Sequence, residues 1–217
     1  MGRGRHSGYD DQRELILQRA AALFARGGYP GTSMNQVAEA CGLSKATLYH
    51  YYRDKYALLV NIAEGHVTRL QGIVGAALAE EAAPQGQLRA LIRRLVQEYA
   101  NAQNEHRVLT EDVRFLEPAD RKRILAKERQ VVAAFTGVVV ALRPDLKDAA
   151  LGKPLTMLLF GMVNWMFTWM RPDGTLDYEA MAPVVTDLFL GGLKAVRNPH
   201  PSPLPLAGEG ARQGAPS

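Results

Sequence analysis

SMNQVAEACGLSKATLYHYY, residues 33–52, is the stretch on which the fold turns. Ser33 and Gln36 stand at the spacing of a capping box, in which the serine hydroxyl accepts from the Gln36 amide and the Gln36 side chain returns to the Ser33 amide. That pairing fixes a helix start. The amides of the first turn, beside Thr32 and Ser33, then favour an anion such as a phosphate. Ala38 is small enough to let a second helix cross close by, Gly42 permits a left-handed turn, and Ser44 caps the helix that follows. A helix, a tight glycine turn and another helix form a helix-turn-helix.

Tyr49, His50, Tyr51 and Tyr52 crowd the end of this stretch although none is a strong helix former. At about 100° per residue, Leu48 and Tyr52 share one side, the side that packs back on the first helix. Opposite them lie Ala46 and His50, flanked by Lys45, Tyr49 and Thr47, with Tyr51 on the shoulder. Cations meet phosphates or guanine, hydroxyls bond phosphate oxygens, and apolar surface meets a thymine methyl. Lys55, just beyond, is placed for another phosphate. For Leu48 and Tyr52 the ordinary core reading holds. The outward set reads as a recognition helix for the major groove of double-stranded DNA, with Thr32, Ser33, Ser44, Lys45, Ala46, Thr47, Tyr49, His50, Tyr51 and Lys55 as its DNA-binding residues.

On either side of this stretch the punctuation falls into helical lengths. Residues 1–9 read as a flexible basic arm, and a helix from Asp10 is stopped by Gly27 and Gly28. After the two short helices, a long one runs from Asp54 to about Glu80, and further helices span Gln85 to Asn104 and Arg107 to Leu116. Pro118 opens one that reaches Leu142, an apolar helix from Asp148 or Pro154 ends at Met170 before an RPDG turn, and Tyr178 to Val196 is the last. Residues 198–217, rich in Pro, Gly and Ser, read as a disordered tail. The chain is expected to be all-α with about nine helices: a DNA-binding head over 10–56 and a ligand-binding and dimerisation domain over 57–197.

Composition narrows the function classes. Net charge is only +4, but residues 1–56 carry eight Lys/Arg against five Asp/Glu, which suits a polyanionic partner. A single cysteine, Cys41, rules out an internal disulfide or a cysteine cluster and fits the cytoplasm. No apolar leader opens the chain. LTMLLFGMVNWMFTWM, residues 155–170, is short for a membrane span and contains Asn164, so it reads as a buried core helix. His6, His50, His66, His106 and His200 are scattered, with no metal-binding pair, phosphate-cradling loop or nucleophile elbow. The expectation is no enzyme, no metal, no cofactor and no membrane partner.

GTSMNQVAEACGLSKATLYHYYRDKYALL, residues 31–59, resembles the signature of the tetracycline-repressor (TetR) family of bacterial transcription regulators. The preceding helix with Ala21, Leu23 and Phe24 and the GGYPGTS link match as well. The resemblance implies a three-helix head, a helical ligand domain, a homodimer and a DNA-contacting set at Lys45, Thr47, Tyr49, His50, Tyr51 and Lys55. It also implies repression relieved by a small-molecule effector.

LTEDVRFLEPADRKRILAKERQVV and GMVNWMFTWMRPDG are similar to stretches in the acyl-CoA-responsive branch, which governs fatty-acid or phenylacetate catabolism. Met162, Trp165, Met166 and Trp169 form a helical stripe, and with Tyr99, Phe115 and Phe135 they suit the walls of an apolar effector site. The same residues read equally as core or dimer seam, the seam being shared with Val184, Val185, Leu188, Phe189 and Leu193. Arg89 and Arg93, beside Arg94, could receive CoA phosphates or form a solvated basic face. An acyl-CoA thioester is thus the leading effector, a lipophilic drug or free aromatic acid the alternative. An architectural DNA binder indifferent to ligands is the rival from another class.

Overall fold

The computed structural model describes residues 3–147, 150–170 and 176–197, without the side chains of residues 3–7 and 167. Capping chemistry sets its elements. Helix α1 spans Arg3–Gly27 and ends at Gly28, whose φ of +76° is the left-handed turn that glycine takes without strain. Ser33 forms the full capping box with Gln36 and opens α2, Met34–Ala40. Gly42, at φ +65°, turns the chain, and Ser44 accepts from the Thr47 amide to open α3, Lys45–Tyr51. Asp54 caps α4, Lys55–Glu80, by accepting from Ala57 N–H at 2.7 Å.

Pro84 and Pro118 sit in the first turns of α5 (Pro84–Asn101) and α7 (Pro118–Leu142), where a missing N–H costs nothing. Between them lie α6, Gln103–Glu111, and a 3-10 turn, Val113–Phe115. A second 3-10 turn, Pro144–Leu146, leads to α8, Gly152–Trp169, and α9 is Tyr178–Ala195. The described residues contain nine α-helices and no strand, the all-α fold that the sequence pattern predicts.

Helices α1–α3 enclose Ile16, Phe24, Val37, Leu48 and Tyr52, and this core is continuous with that of the remaining helices. α4 packs on α5, α6 and α7; α5 on α9; α7 on α8. α6 reaches back to α1, and α4 packs on α1 as well, so the larger helical body touches the head through both helices.

Two expectations change. Residues 3–9, read as an irregular arm, continue α1, and the Tyr9 ring stacks on Tyr51 at 4.9 Å. Residues 155–170, read as buried all round, expose Leu158, Trp165 and Trp169 by half or more. No described helix is long and apolar enough to cross a membrane. The C-terminal tail and the RPDG turn lie outside the described residues.

Candidate nucleic-acid interface and cavity

α3 is seven residues long, and its orientation follows from two anchors. Leu48 is fully buried and Tyr52 nearly so, the Tyr52 hydroxyl meeting Arg13 Nε at 3.4 Å. With those residues inward, Lys45, Ala46, Thr47, Tyr49 and His50 all face out, as the sequence geometry requires. Lys45 Nζ lies 5.9 Å from the Tyr49 ring centroid, so a cation and an aromatic hydroxyl stand side by side. Ser44 and Thr47 share a hydroxyl hydrogen bond of 2.8 Å at the helix start, which stiffens the end that would enter a groove.

The remaining sequence-derived contact residues divide. Tyr51 is half-buried under Tyr9, and His50 meets the Tyr9 ring edge-on at 6.5 Å. Thr32 is buried, and its hydroxyl donates to Gly28 O at 3.0 Å, so it closes the C-terminus of α1 and offers no side chain to DNA. Lys55 Nζ donates to Tyr29 O at 2.8 Å and Pro30 O at 3.2 Å and covers the Tyr29 ring. That ammonium ties the loop before α2 to the start of α4. Ser33, Lys45, Tyr49 and Lys55 border a recess of about 440 Å³ together with Asn35. Sequence reading passed over Tyr9 and Asn35. Asn35 stood inside a capping box, and Tyr9 in a segment with no apolar period.

A cavity of about 620 Å³ opens between α4, α5, α6, α7 and α8. Leu109, Leu125, Val132, Met157 and Phe160 give it apolar walls, while Glu128, Arg129, Lys153 and Asn164 add polar groups. Of the nine residues expected to hold an effector, Tyr99 alone lines it. Phe135 stands behind the wall against Phe160, ring centroids 4.9 Å apart, and Met166 is buried in the core with Met162 packed against it. Trp165 and Trp169 point away from the cavity, at 67% and 53% exposure. Phe115 packs on Tyr29 at the head, 5.5 Å between centroids.

Arg89 pairs with Asp187 at 2.9 Å, and Arg93 and Arg94 pair with Glu80 at 2.8 and 2.7 Å. Arg89 and Arg93 line a separate recess with Glu80, Glu81 and Glu179, and the charge of all three arginines is already answered. The reason α8 misled is its composition. A helix apolar on every side carries no phase in its sequence, and the stripe Lys153, Met157, Phe160, Asn164 faces the cavity instead of the tryptophans.

Behind Tyr99 runs a buried polar chain that sequence spacing could not reveal. His106 stacks on Tyr99 at 3.9 Å and meets His66 Nε2 through its Nδ1 at 3.3 Å. His66 Nδ1 lies 3.6 Å from Glu98, which accepts from Arg69 Nε at 3.1 Å. The carboxylate favours the tautomer with a proton on His66 Nδ1, and His106 Nδ1–H then donates to His66 Nε2. Burial, aided by His66, drives the His106 imidazole down to about 3, so it is neutral at pH 7. The His66 ring, and after it Arg69, holds Glu98 below the usual carboxylate range.

The cavity wall is mechanically joined to the head. Tyr56 O–H donates to Asp120 at 2.6 Å and accepts from Glu117 N–H at 2.9 Å, locking the start of α4 to the start of α7. One turn and more along, Glu64 accepts from Arg123 and from Lys127, each at 3.0 Å, and Gln71 bonds Gln130. A shift of α7 therefore moves α4, and only three residues separate α4 from the end of α3.

Comparison with known proteins agrees with this geometry at both ends of the chain. The family described as bacterial regulatory proteins, tetR family, matches residues 16–62, and tetracyclin repressor-like, C-terminal domain, matches residues 81–193. A TetR-family transcriptional regulator from Bordetella parapertussis is 34% identical, with a TM-score of 0.79 over 85% of this chain and 97% of that one. The structure of AibR in complex with isovaleryl coenzyme A and operator DNA is 26% identical, with a TM-score of 0.69 over 82% and 97%. The HTH-type transcriptional repressor KstR2 of Rhodococcus jostii RHA1 is 24% identical over 198 residues, 88% of this chain and 96% of the relative.

Proposed function

The chain belongs to the TetR family of bacterial transcription regulators, and from that premise we propose that it is a repressor that binds a palindromic operator as a homodimer and lets go when an effector fills the cavity. The observation that carries this reading is the outward polar face of α3, fixed by a buried scaffold and coupled through α4 and α7 to a cavity of about 620 Å³. Residues 10–56 serve as the DNA-binding unit and 57–197 as the ligand-binding and dimerising one, acting in the cytoplasm where the DNA is.

Two heads of a dimer must meet successive major grooves about 34–36 Å apart. Lys45, Tyr49, His50 and the Ser44–Thr47 pair make the groove and phosphate contacts. A ligand that fits the cavity better in a differently spaced dimer withdraws the population from DNA. Leu158 and Trp165 of α8 with Val184 and Leu188 of α9 supply the exposed apolar face through which two copies join.

The effector we favour is an acyl-CoA thioester, such as phenylacetyl-CoA or a fatty acyl-CoA. The apolar walls suit an acyl or aryl group, and the exposed cations Arg129 and Lys153 at the cavity suit phosphates. AibR, bound to isovaleryl coenzyme A, supports the same class. The test is fluorescence anisotropy on DNA from upstream of the protein's own gene at fixed salt. Phenylacetyl-CoA, a long-chain acyl-CoA, free phenylacetate and free CoA are titrated against the complex. Release by one thioester alone is expected. Binding that none of them releases sinks the thioester reading and points to a lipophilic drug, and release by phenylacetate alone points to a free acid. Equal affinity for unrelated DNA with a steep salt dependence removes the repressor reading altogether.

A further inference from the structure

The stripe of α1 that enters the head core is Ile16, Ala20 and Phe24, all buried. Followed back toward the start of the helix at the same spacing, it continues through Arg13 to Tyr9. Those two side chains close on the end of α3. The Arg13 guanidinium lies over the Tyr52 ring, 5.3 Å from its centroid, and its Nε donates to the Tyr52 hydroxyl at 3.4 Å. The Tyr9 ring stacks on Tyr51 at 4.9 Å and meets His50 edge-on at 6.5 Å. His50 in turn meets Tyr51 edge-on at 5.7 Å. The rings of Tyr9, His50 and Tyr51 thus lie pairwise within the range of aromatic contact.

The two α1 side chains do different things. Tyr52 is buried in the core, so Arg13 secures a residue that has an anchor of its own. His50 is exposed, and α3, seven residues long, ends one residue after it. A helix of that length has little order of its own. An exposed imidazole at its end turns about its side-chain bonds unless something outside the helix holds it, and freedom lost on binding weakens a complex. Among the described residues, the one ring from another helix that meets His50 is Tyr9. Tyr9 is itself 38% exposed, so the head core gains little from it.

We propose that Tyr9 is a positioning residue for operator recognition: with Tyr51 it holds the His50 imidazole in the orientation that meets a base edge in the major groove. This rests on the reading of α3 as the recognition helix. Tyr9 acts through His50 and touches no base itself. Attraction to phosphates sets how strongly any DNA is held, and base-edge contacts set which DNA is preferred. Tyr9 therefore governs preference and leaves general affinity alone.

Fluorescence anisotropy of the full chain at fixed salt tests this, with a duplex from upstream of its own gene and a scrambled duplex of equal length. Tyr9→Ala should weaken operator binding about fivefold, the effect of one side chain no longer held in advance, and leave the scrambled duplex unchanged. Tyr9→Phe keeps the ring and should keep the wild-type preference. In a His50→Ala background, Tyr9→Ala should change operator affinity by less than about twofold, because nothing remains to be positioned. Should Tyr9→Ala fail to fold by circular dichroism, Tyr9→Leu, which keeps apolar bulk without a ring, carries the same expectations. Full operator preference in the ring-less variants overturns the inference and leaves the reading of α3 intact. An undiminished loss in the His50→Ala background overturns it as well. Equal weakening on both duplexes, shared by Tyr9→Phe, also overturns it and makes the Tyr9 hydroxyl a phosphate contact. A wild type that does not distinguish the two duplexes overturns the reading of α3, and the inference with it.

Discussion

Tyr49 and Thr32 both carry hydroxyls near the head's outer surface, and their environments give them opposite employment. Thr32 is buried, and its hydrogen is consumed by the last turn of α1. Tyr49 is 42% exposed, with Lys45 across its ring. Replacing Tyr49 with Ala should lower specific operator affinity by at least about tenfold, the worth of a good groove contact. Circular dichroism should stay unchanged, because the side chain holds no core. Operator affinity retained by Tyr49→Ala would remove the assignment of α3.

His106 gives a second expectation. Its pKa falls to about 3 in the folded chain, through burial first and His66 second, while the unfolded histidine titrates near 6.5. The unfolded state therefore binds the extra proton, and stability is lost as pH falls below about 6.5, reaching about 2 kcal/mol at about pH 5. Glu98, depressed by His66 and Arg69, adds to the loss only at lower pH, as it protonates. Denaturant melts across this range should show a shallower acid slope for His106→Leu, whatever its baseline stability. An unaltered slope would mean that the imidazole is not buried neutral.

The turn between α2 and α3 shows how one backbone angle positions an element. Gly42 holds φ at +65°, and a Cβ there would meet nothing within 4 Å, so substitution acts through the backbone alone. Gly42→Val should cost about 1–2 kcal/mol, and Gly42→Asn, which tolerates the left-handed region, should recover most of it in chemical unfolding. α8 makes the complementary point. Its cavity side is set by Lys153, Met157, Phe160 and Asn164, while Leu158 and Trp165 stand 66% and 67% exposed on another side. One helix thus faces the cavity on one side and exposes apolar side chains on another.

For the whole molecule, α9 too exposes large apolar side chains, Val184 and Leu188 at 54% and 65%. A patch of this kind is covered in a working assembly. Leu188→Glu should leave the single chain folded, since the side chain is already outside its core, yet convert a dimer to a monomer in sedimentation velocity. Operator affinity should collapse with it, because each head alone reaches one half-site. A variant that remains dimeric would place the seam elsewhere.

Local spacing and stereochemistry settle the nine helices apart from the first turns of α1, the caps Ser33 and Ser44, and the two sides of α3. Capping boxes, glycine turns and the burial of Leu48 and Tyr52 are decided within a few residues, where spacing and stereochemistry suffice. Only the tertiary structure decided which side of α8 meets the cavity, that Thr32 and Lys55 are spent on loop carbonyls, and that His66 finds His106 forty positions away. Each of these depends on which helices meet and at what rotation. A uniformly apolar helix, or a lone lysine or histidine, carries no local signal of its partner.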